Sequence, residues 1–126
     1  MNDPPVAVRR RVLVVEDEMT LALVIEESLL DIGVDIVGPA ARLDVALQLA
    51  RDEAIDAAIL DVNIRGGNTY DVADILAERG IPFLFCSGYN DWALAERHRS
   101  RPRLSKPYTS RALEAEVLAM LGMPKP

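Results

Sequence analysis

At 126 residues, 50% hydrophobic and 27% charged, the chain has the size and balance of one globular domain that buries a core without disulfide or metal staples. No apolar run approaches the roughly 20 residues of a membrane span, and MNDPPVAVRRR carries no signal-peptide-length apolar segment ahead of its arginines, so a cytoplasmic protein without membrane attachment is expected. A net charge of −6 argues against nucleic acid as a direct partner, and the single cysteine, Cys86, has no second thiol to pair with.

After a tail over residues 1–10, VLVV (12–15) does not alternate with polar residues and reads as a fully buried strand. It stops at Glu16, Asp17 and Glu18. Leu21, Val24, Ile25, Leu29 and Ile32 then recur at helical spacing, with Gly33 placed to end that helix. VDIVG (34–38) is a second strand, and Leu43, Ala46, Leu47 and Ala50 form the inner stripe of a second helix. Residues 55–61 make a third strand, which delivers Asp61 at its end. The loop NIRGGN is turn-rich, Asn68 or Thr69 is placed to cap the next helix, and that helix turns Val72, Ile75 and Leu76 inward before Gly80. IPFLFCS (81–87) is a fourth strand, with Pro82 tolerated near its start and Cys86 as a small buried hydrophobe. A short helix is expected over Asp91 to His98, with His98 at a solvated end between arginines. A brief strand over 103–105 and a last helix over 110–121, with Leu113, Val117, Met120 and Leu121 on one side, complete a domain of residues 11–122. Residues 123–126 are read as a short tail, and no attached output domain is expected.

Five strands alternating with five helices predict an α/β fold, a doubly wound parallel sheet covered on both faces. In such a sheet all strand ends of one kind point the same way, and ligands bind beyond the carboxyl ends. Unusual polar residues fall at those ends: Glu16 and Asp17 after the first strand, Asp61 at the third, Ser87 at the fourth and Lys106 after the fifth.

Two carboxylates about 4 Å apart repel by roughly 4 kcal/mol at an effective dielectric of about 20. A hard divalent cation relieves that repulsion, and Mg²⁺ favours one or two carboxylates completed by water and phosphate oxygens. A lysine and a hydroxyl opposite suit a phosphoryl group, so the set points to phosphoryl chemistry with Asp61 as nucleophile. Taken singly, each residue has a plainer reading: helix-dipole acids for Glu16 to Glu18, a cap for Asp61, a turn residue for Ser87, a solvated charge for Lys106. Their joint placement at the correct ends favours the common site.

VLVVEDE (12–18), ILDVNIRG (59–66), PFLFCSGY (82–89) and SKPY (105–108) together resemble the receiver domain of two-component response regulators, over essentially the whole chain. PFLFCSGY is similar to a Pro-Phe-x-Phe-Ala-Thr-Gly subgroup of stand-alone receivers, with Cys86 and Ser87 in place of Ala and Thr. The resemblance implies a flavodoxin-like five-stranded sheet of order 2-1-3-4-5 and five helices. It implies that Asp61 accepts a phosphoryl group from a histidine kinase or histidine phosphotransfer protein. Asp17 would bind Mg²⁺, Glu16 would support it through water, and Asn63 would offer its backbone carbonyl. Ser87 and Gly88 would hold the phosphoryl group with Lys106, and Ser87 and Tyr108 would form the switch, with the bond before Pro107 cis. The family's usual pair of aspartates is here Glu16 then Asp17.

Such a protein signals through a downstream protein target at the surface of its fourth helix, fifth strand and last helix. It is expected to be a monomer or weak dimer that catalyses only its own phosphorylation and dephosphorylation. Six of the 14 basic residues and none of the 20 acidic ones lie between Arg97 and Arg111, on that surface. Two other readings compete: a Mg²⁺-dependent phosphatase or phosphotransferase passing through an aspartyl-phosphate, and a pseudo-receiver scaffold that is never phosphorylated. Asn63 stands where many such enzymes carry a general acid, and Asp17, Asp61, Ser87 and Lys106 are all present. Both facts favour the receiver.

Overall fold

A computed structural model describes residues 9–88 and 98–124. In chain order the elements are β1 (Arg11–Val15), α1 (Met19–Asp31), β2 (Asp35–Ala40), α2 (Leu43–Asp52), β3 (Ala57–Asp61), β4 (Asn63–Ile64), β5 (Gly67–Asn68), α3 (Tyr70–Glu78), β6 (Phe83–Ser87), β7 (Arg103–Ser105) and α4 (Ser110–Leu121). Five strands form one parallel sheet in the order β2-β1-β3-β6-β7; β4 and β5 are a separate two-residue antiparallel pair. With that small hairpin set aside, the order is the expected 2-1-3-4-5. Four helices lie among the described residues. The fifth, expected over Asp91 to His98, falls outside them except for His98.

Alternation along the buried strands sorts the core into two layers. Leu13, Val15, Ala58, Leu60, Phe83 and Phe85 pack with residues of α2 and α3, including Ala46, Ala50, Val72 and Leu76. Val12, Val14, Ala57, Ile59, Leu84 and Cys86 pack on the other face with Ile25 and Leu29 of α1 and Leu113, Val117 and Leu121 of α4. Both strand faces are covered, which is why these runs lack polar alternation. Asp61 continues the 57, 59 parity, so the strand that is buried throughout ends with its carboxylate on the α1/α4 side.

Several strand boundaries differ from expectation by one or two residues: β1 begins at Arg11, β2 spans Asp35–Ala40, β3 begins at Ala57 and β6 at Phe83. β2 runs past Gly38 to Ala40, across an irregularity in its pairing with β1. Gly38 has φ +102°, and a Cβ there would meet Ala40 N at 2.8 Å and the Val14 carbonyl at 2.9 Å, so only glycine lets the strand continue. The Gly38–Pro39 bond is cis, as is the expected Lys106–Pro107 bond. The third strand begins at Ala57 rather than residue 55; just ahead of it Asp56 is tied twice to Arg11, its N–H donating to the Arg11 carbonyl at 2.7 Å and its carboxylate accepting from the Arg11 N–H at 2.8 Å.

The last helix matches residue for residue. Thr109 caps it by accepting from Ala112 N–H at 3.0 Å, and Gly122 at φ +65° closes it. No described helix is long and apolar enough to cross a membrane.

Candidate functional site

The polar strand ends converge as the topology requires. Glu16 follows β1 directly, and its backbone N–H donates to the Ala40 carbonyl at 3.0 Å, which fixes the turn out of the strand. α1 begins only at Met19, with Glu18 at its cap position and no acidic residue in its first turn. Glu16 and Asp17 therefore lie in the connection ahead of the helix and not on it. Glu16 is 2% exposed and Asp61 5%, while Asp17 is half-buried. A carboxylate oxygen from each of the three lies within 4.8 Å of the others.

Lys106 closes the group from the edge of the sheet. Its backbone N–H donates to the Ser87 carbonyl at 2.8 Å, which locks the lysine to the end of β6. Its ammonium donates to Asp61 Oδ2 at 3.0 Å and stands 3.2 Å from Glu16 Oε1, the latter an ion pair without hydrogen-bond geometry. The other Glu16 oxygen accepts from Glu18 N–H at 3.2 Å.

Three acids against one ammonium leave negative charge uncompensated in a buried place, and the titration of both partners reflects it. Burial, and then Glu16, raise the Asp61 carboxyl to about 7 against the opposing pull of Lys106. Burial by itself would lower Lys106, but the hydrogen bond and charge of Asp61, with Glu16 behind it, outweigh that and raise it. Hard oxygen donors in charge excess suit a small divalent cation. The oxygens of Glu16, Asp17 and Asp61 are the ones available to hold it, with Asn63 two residues beyond on β4.

Ser87, 3% exposed, ends β6 opposite Ser105, and half-buried Gly88 follows it. Asp61 pairs in register with Cys86, so Ser87 comes one residue past the carboxylate on the neighbouring strand. Tyr108 packs into the α1/α4 layer beside Cys86, with its hydroxyl buried and making no hydrogen bond of good geometry. Burial pushes the Tyr108 hydroxyl up, and pushes the Cys86 thiol to about 12, the inert behaviour expected of a packing residue.

Two features escaped the sequence. His98 is not a solvated helix end. It is 3% exposed, its ring lies 5.7 to 6.1 Å from those of Phe85, Phe83 and Tyr70, and its Nε2 is 2.8 Å from Asp74 Oδ1. The flanking arginines carried no signal of this, because burial is decided by the aromatic wall that β6 and α3 build. Arg101 likewise lies 4.3 Å over the Phe83 ring, so part of the basic run packs against the body of the protein. The second feature is Thr69, whose hydroxyl turns back to the Asp61 carbonyl at the end of β3. A cleft of about 410 Å³ lined by Arg42, Leu43, Asp44, Leu47, Arg65 and Gly66 includes none of the converged residues.

The sequence profile of the response regulator receiver domain matches residues 12–118. The chain is 32% identical over 112 residues to the transcriptional regulatory protein PdtaR of Mycobacterium tuberculosis, an alignment covering 86% of this chain and 55% of that protein, so the chain spans about half the length of the curated relatives it matches. The solution structure of SdrG from Sphingomonas melonis Fr1 is 40% identical, with a TM-score of 0.80 over 94% of this chain and 100% of that one. The BeF3-activated conformation of SdrG from Pseudomonas melonis Fr1 is 43% identical, with a TM-score of 0.71 over 88% and 94% of the two chains. With its five-stranded parallel sheet and the acidic pocket at the sheet's carboxyl end, this chain belongs to the response regulator receiver domain family of two-component systems.

Proposed function

We propose that the protein is a phosphorylation switch in a phosphorelay, modified on Asp61 by a histidine kinase or histidine phosphotransfer protein with Mg²⁺, and acting through a protein partner. The observation that carries this reading is the convergence of a buried Asp61 with Lys106 at 3.0 Å and with Glu16 and Asp17 within 4.8 Å. A buried carboxylate next to one ammonium and two further acids is costly as a structural device and useful as a nucleophile.

In the transfer, an Asp61 carboxylate oxygen forms a bond to phosphorus as the bond from phosphorus to the donor's imidazole nitrogen breaks. The nitrogen keeps the electron pair of the broken bond. Lys106, already beside the attacked carboxylate, pairs with a phosphoryl oxygen, and Ser87 and the Gly88 N–H supply hydrogen bonds to the others. Asp17, Asp61 and the Asn63 carbonyl, with Glu16 acting through water, would hold Mg²⁺, which would supply positive charge against the phosphoryl oxygens and the acids. Attack of water on phosphorus later returns the free carboxylate and inorganic phosphate, the one turnover the domain performs on itself.

The new dianionic group replaces the Asp61–Lys106 ion pair with phosphoryl contacts that draw Ser87 inward and leave space into which Tyr108 repacks. The exposed side of β7 and α4 then changes shape, and arginines 99, 103 and 111 on it suit an acidic partner surface.

Intact mass after incubation with acetyl phosphate tests the reading. A gain of one phosphoryl group that requires Mg²⁺ and is absent in Asp61→Asn is expected. No gain under conditions that modify another receiver would replace the switch with a pseudo-receiver scaffold.

A further inference from the structure

Thr69 occupies the position before α3 at which a threonine ordinarily turns its hydroxyl toward the helix's first free amides. It does not do so here. The Thr69 side chain makes no capping bond, and Asn68 Oδ1 accepts from the Tyr70 N–H at 3.1 Å instead. The Thr69 hydroxyl donates to the backbone carbonyl of Asp61 at 2.7 Å, with the Val62 carbonyl at 3.3 Å as a weaker second acceptor. The residue is 0% exposed, so water does not compete for that bond.

The surrounding backbone makes Thr69 the point where three pieces join. The Val62 N–H donates to the Cys86 carbonyl at 3.1 Å, the rung just beyond the end of β3. The Thr69 N–H donates to the Val62 carbonyl at 2.9 Å, closing residues 62–69 into a ring, and the Thr69 carbonyl accepts from Ala73 N–H at 3.0 Å within α3. The peptide carrying Asp61 is thus held by the sheet on one side and by a buried side-chain hydroxyl fixed to α3 on the other. Without the hydroxyl, the peptides between Asp61 and Asn63 keep the Val62 rung but lose the constraint on rotation of the Asp61 carbonyl.

We infer that Thr69 is a positioning residue for phosphoryl transfer: its hydroxyl fixes the Asp61–Val62 peptide, and with it the aim of the Asp61 carboxylate at Lys106 and at Glu16 and Asp17, and the placement of Asn63. This rests on the reading of Asp61 as phosphoacceptor. Partners one bond removed from a metal ligand commonly change affinity or activity by about 10- to 100-fold when deleted, and misplacement of a reacting group by about 1 Å has a similar effect on rate.

The test compares Thr69→Val, which keeps the volume and removes the hydroxyl, with Thr69→Ser, which keeps the hydroxyl. Each is measured for Mg²⁺ affinity by calorimetry and for the rate of phosphorylation by acetyl phosphate at saturating Mg²⁺. With circular dichroism confirming the fold, T69V is expected to lose about tenfold in rate and several-fold in Mg²⁺ affinity, and T69S to stay within about twofold of wild type in both. Wild-type behaviour in T69V would overturn the inference, as would equal losses in T69V and T69S, which would assign the effect to disturbed packing around residue 69 and not to the hydroxyl. If T69V does not fold, Thr69→Ala against Thr69→Ser carries the same comparison. If the wild type itself is not phosphorylated, the phosphoacceptor reading fails separately, and the Mg²⁺ comparison still supports or overturns the positioning of the acids.

Discussion

The two ends of the sheet use the same kinds of side chain to opposite effect. At the end where the strands begin, Arg9 meets Asp35 at 2.7 Å and Arg11 meets Glu53 at 3.6 Å, with every partner between 38% and 52% exposed. At the end where they finish, Lys106 meets Asp61 at 3.0 Å and Glu16 at 3.2 Å, with the side chains of the two acids only 7% and 1% exposed. The distances are similar and the environments are not. Water screens the first set, so each pair contributes little. Burial removes that screening from the second set, and three acids against one lysine make it a store of unfavourable charge that a cation can relieve. A binding site differs from a surface ion pair here by desolvation and by charge count.

Removing the single cation from the buried end should break that contrast most severely. Lys106→Met leaves three acids without an ammonium and is expected to cost about 2–3 kcal/mol in chelator at pH 8, measured by urea unfolding. Added Mg²⁺ should recover much of the loss, because an ion that binds only the folded protein stabilises it by mass action. A loss unaffected by Mg²⁺ would mean that the lysine supports packing and not charge balance.

Neutralising Asp61 should have the opposite sign. Asp61 has a folded value of about 7 against an ordinary carboxyl value of 3.8, so between those values the native protein holds a proton that the unfolded chain has released. Its contribution to stability is complete below the unfolded value and is lost as the pH rises through about 7. Asp61→Asn escapes that loss. The variant should exceed wild type by about 1–2 kcal/mol at pH 8 in chelator, a rise of roughly 3–6 °C in Tm for a domain of this size. The advantage should shrink steadily toward pH 5. A difference independent of pH would sink the assignment of that proton to Asp61.

The smallest effect belongs to the exposed end. Arg9→Ala is expected to change stability by no more than about 0.5 kcal/mol, with little dependence on Mg²⁺. A larger change would erase the distinction between the ends, and would point to the bond from Arg9 Nη2 to the Val34 carbonyl at 3.3 Å.

Much of this was legible in the residues because the relevant signals are local and periodic. Unbroken apolar runs at 12–15, within 57–61 and within 83–87 require burial on both faces. Helical spacing placed the last helix to the residue. Once the strands are parallel, Glu16, Asp61, Ser87 and Lys106 must share one end. Those inferences depend only on repeat lengths and on the direction of a crossover.

The tertiary structure decided what depends on neighbours distant in sequence. Nothing around His98 announces that Phe83, Phe85 and Tyr70 will enclose it, or that Asp74 will meet its ring. Gly38 and Pro39 resemble a strand end and become part of a strand because β1 lies close enough to forbid any side chain there. Thr69 resembles a helix cap, yet its hydroxyl serves the Asp61 carbonyl. A hydroxyl chooses among acceptors by distance and burial, and those quantities exist only after the chain has folded.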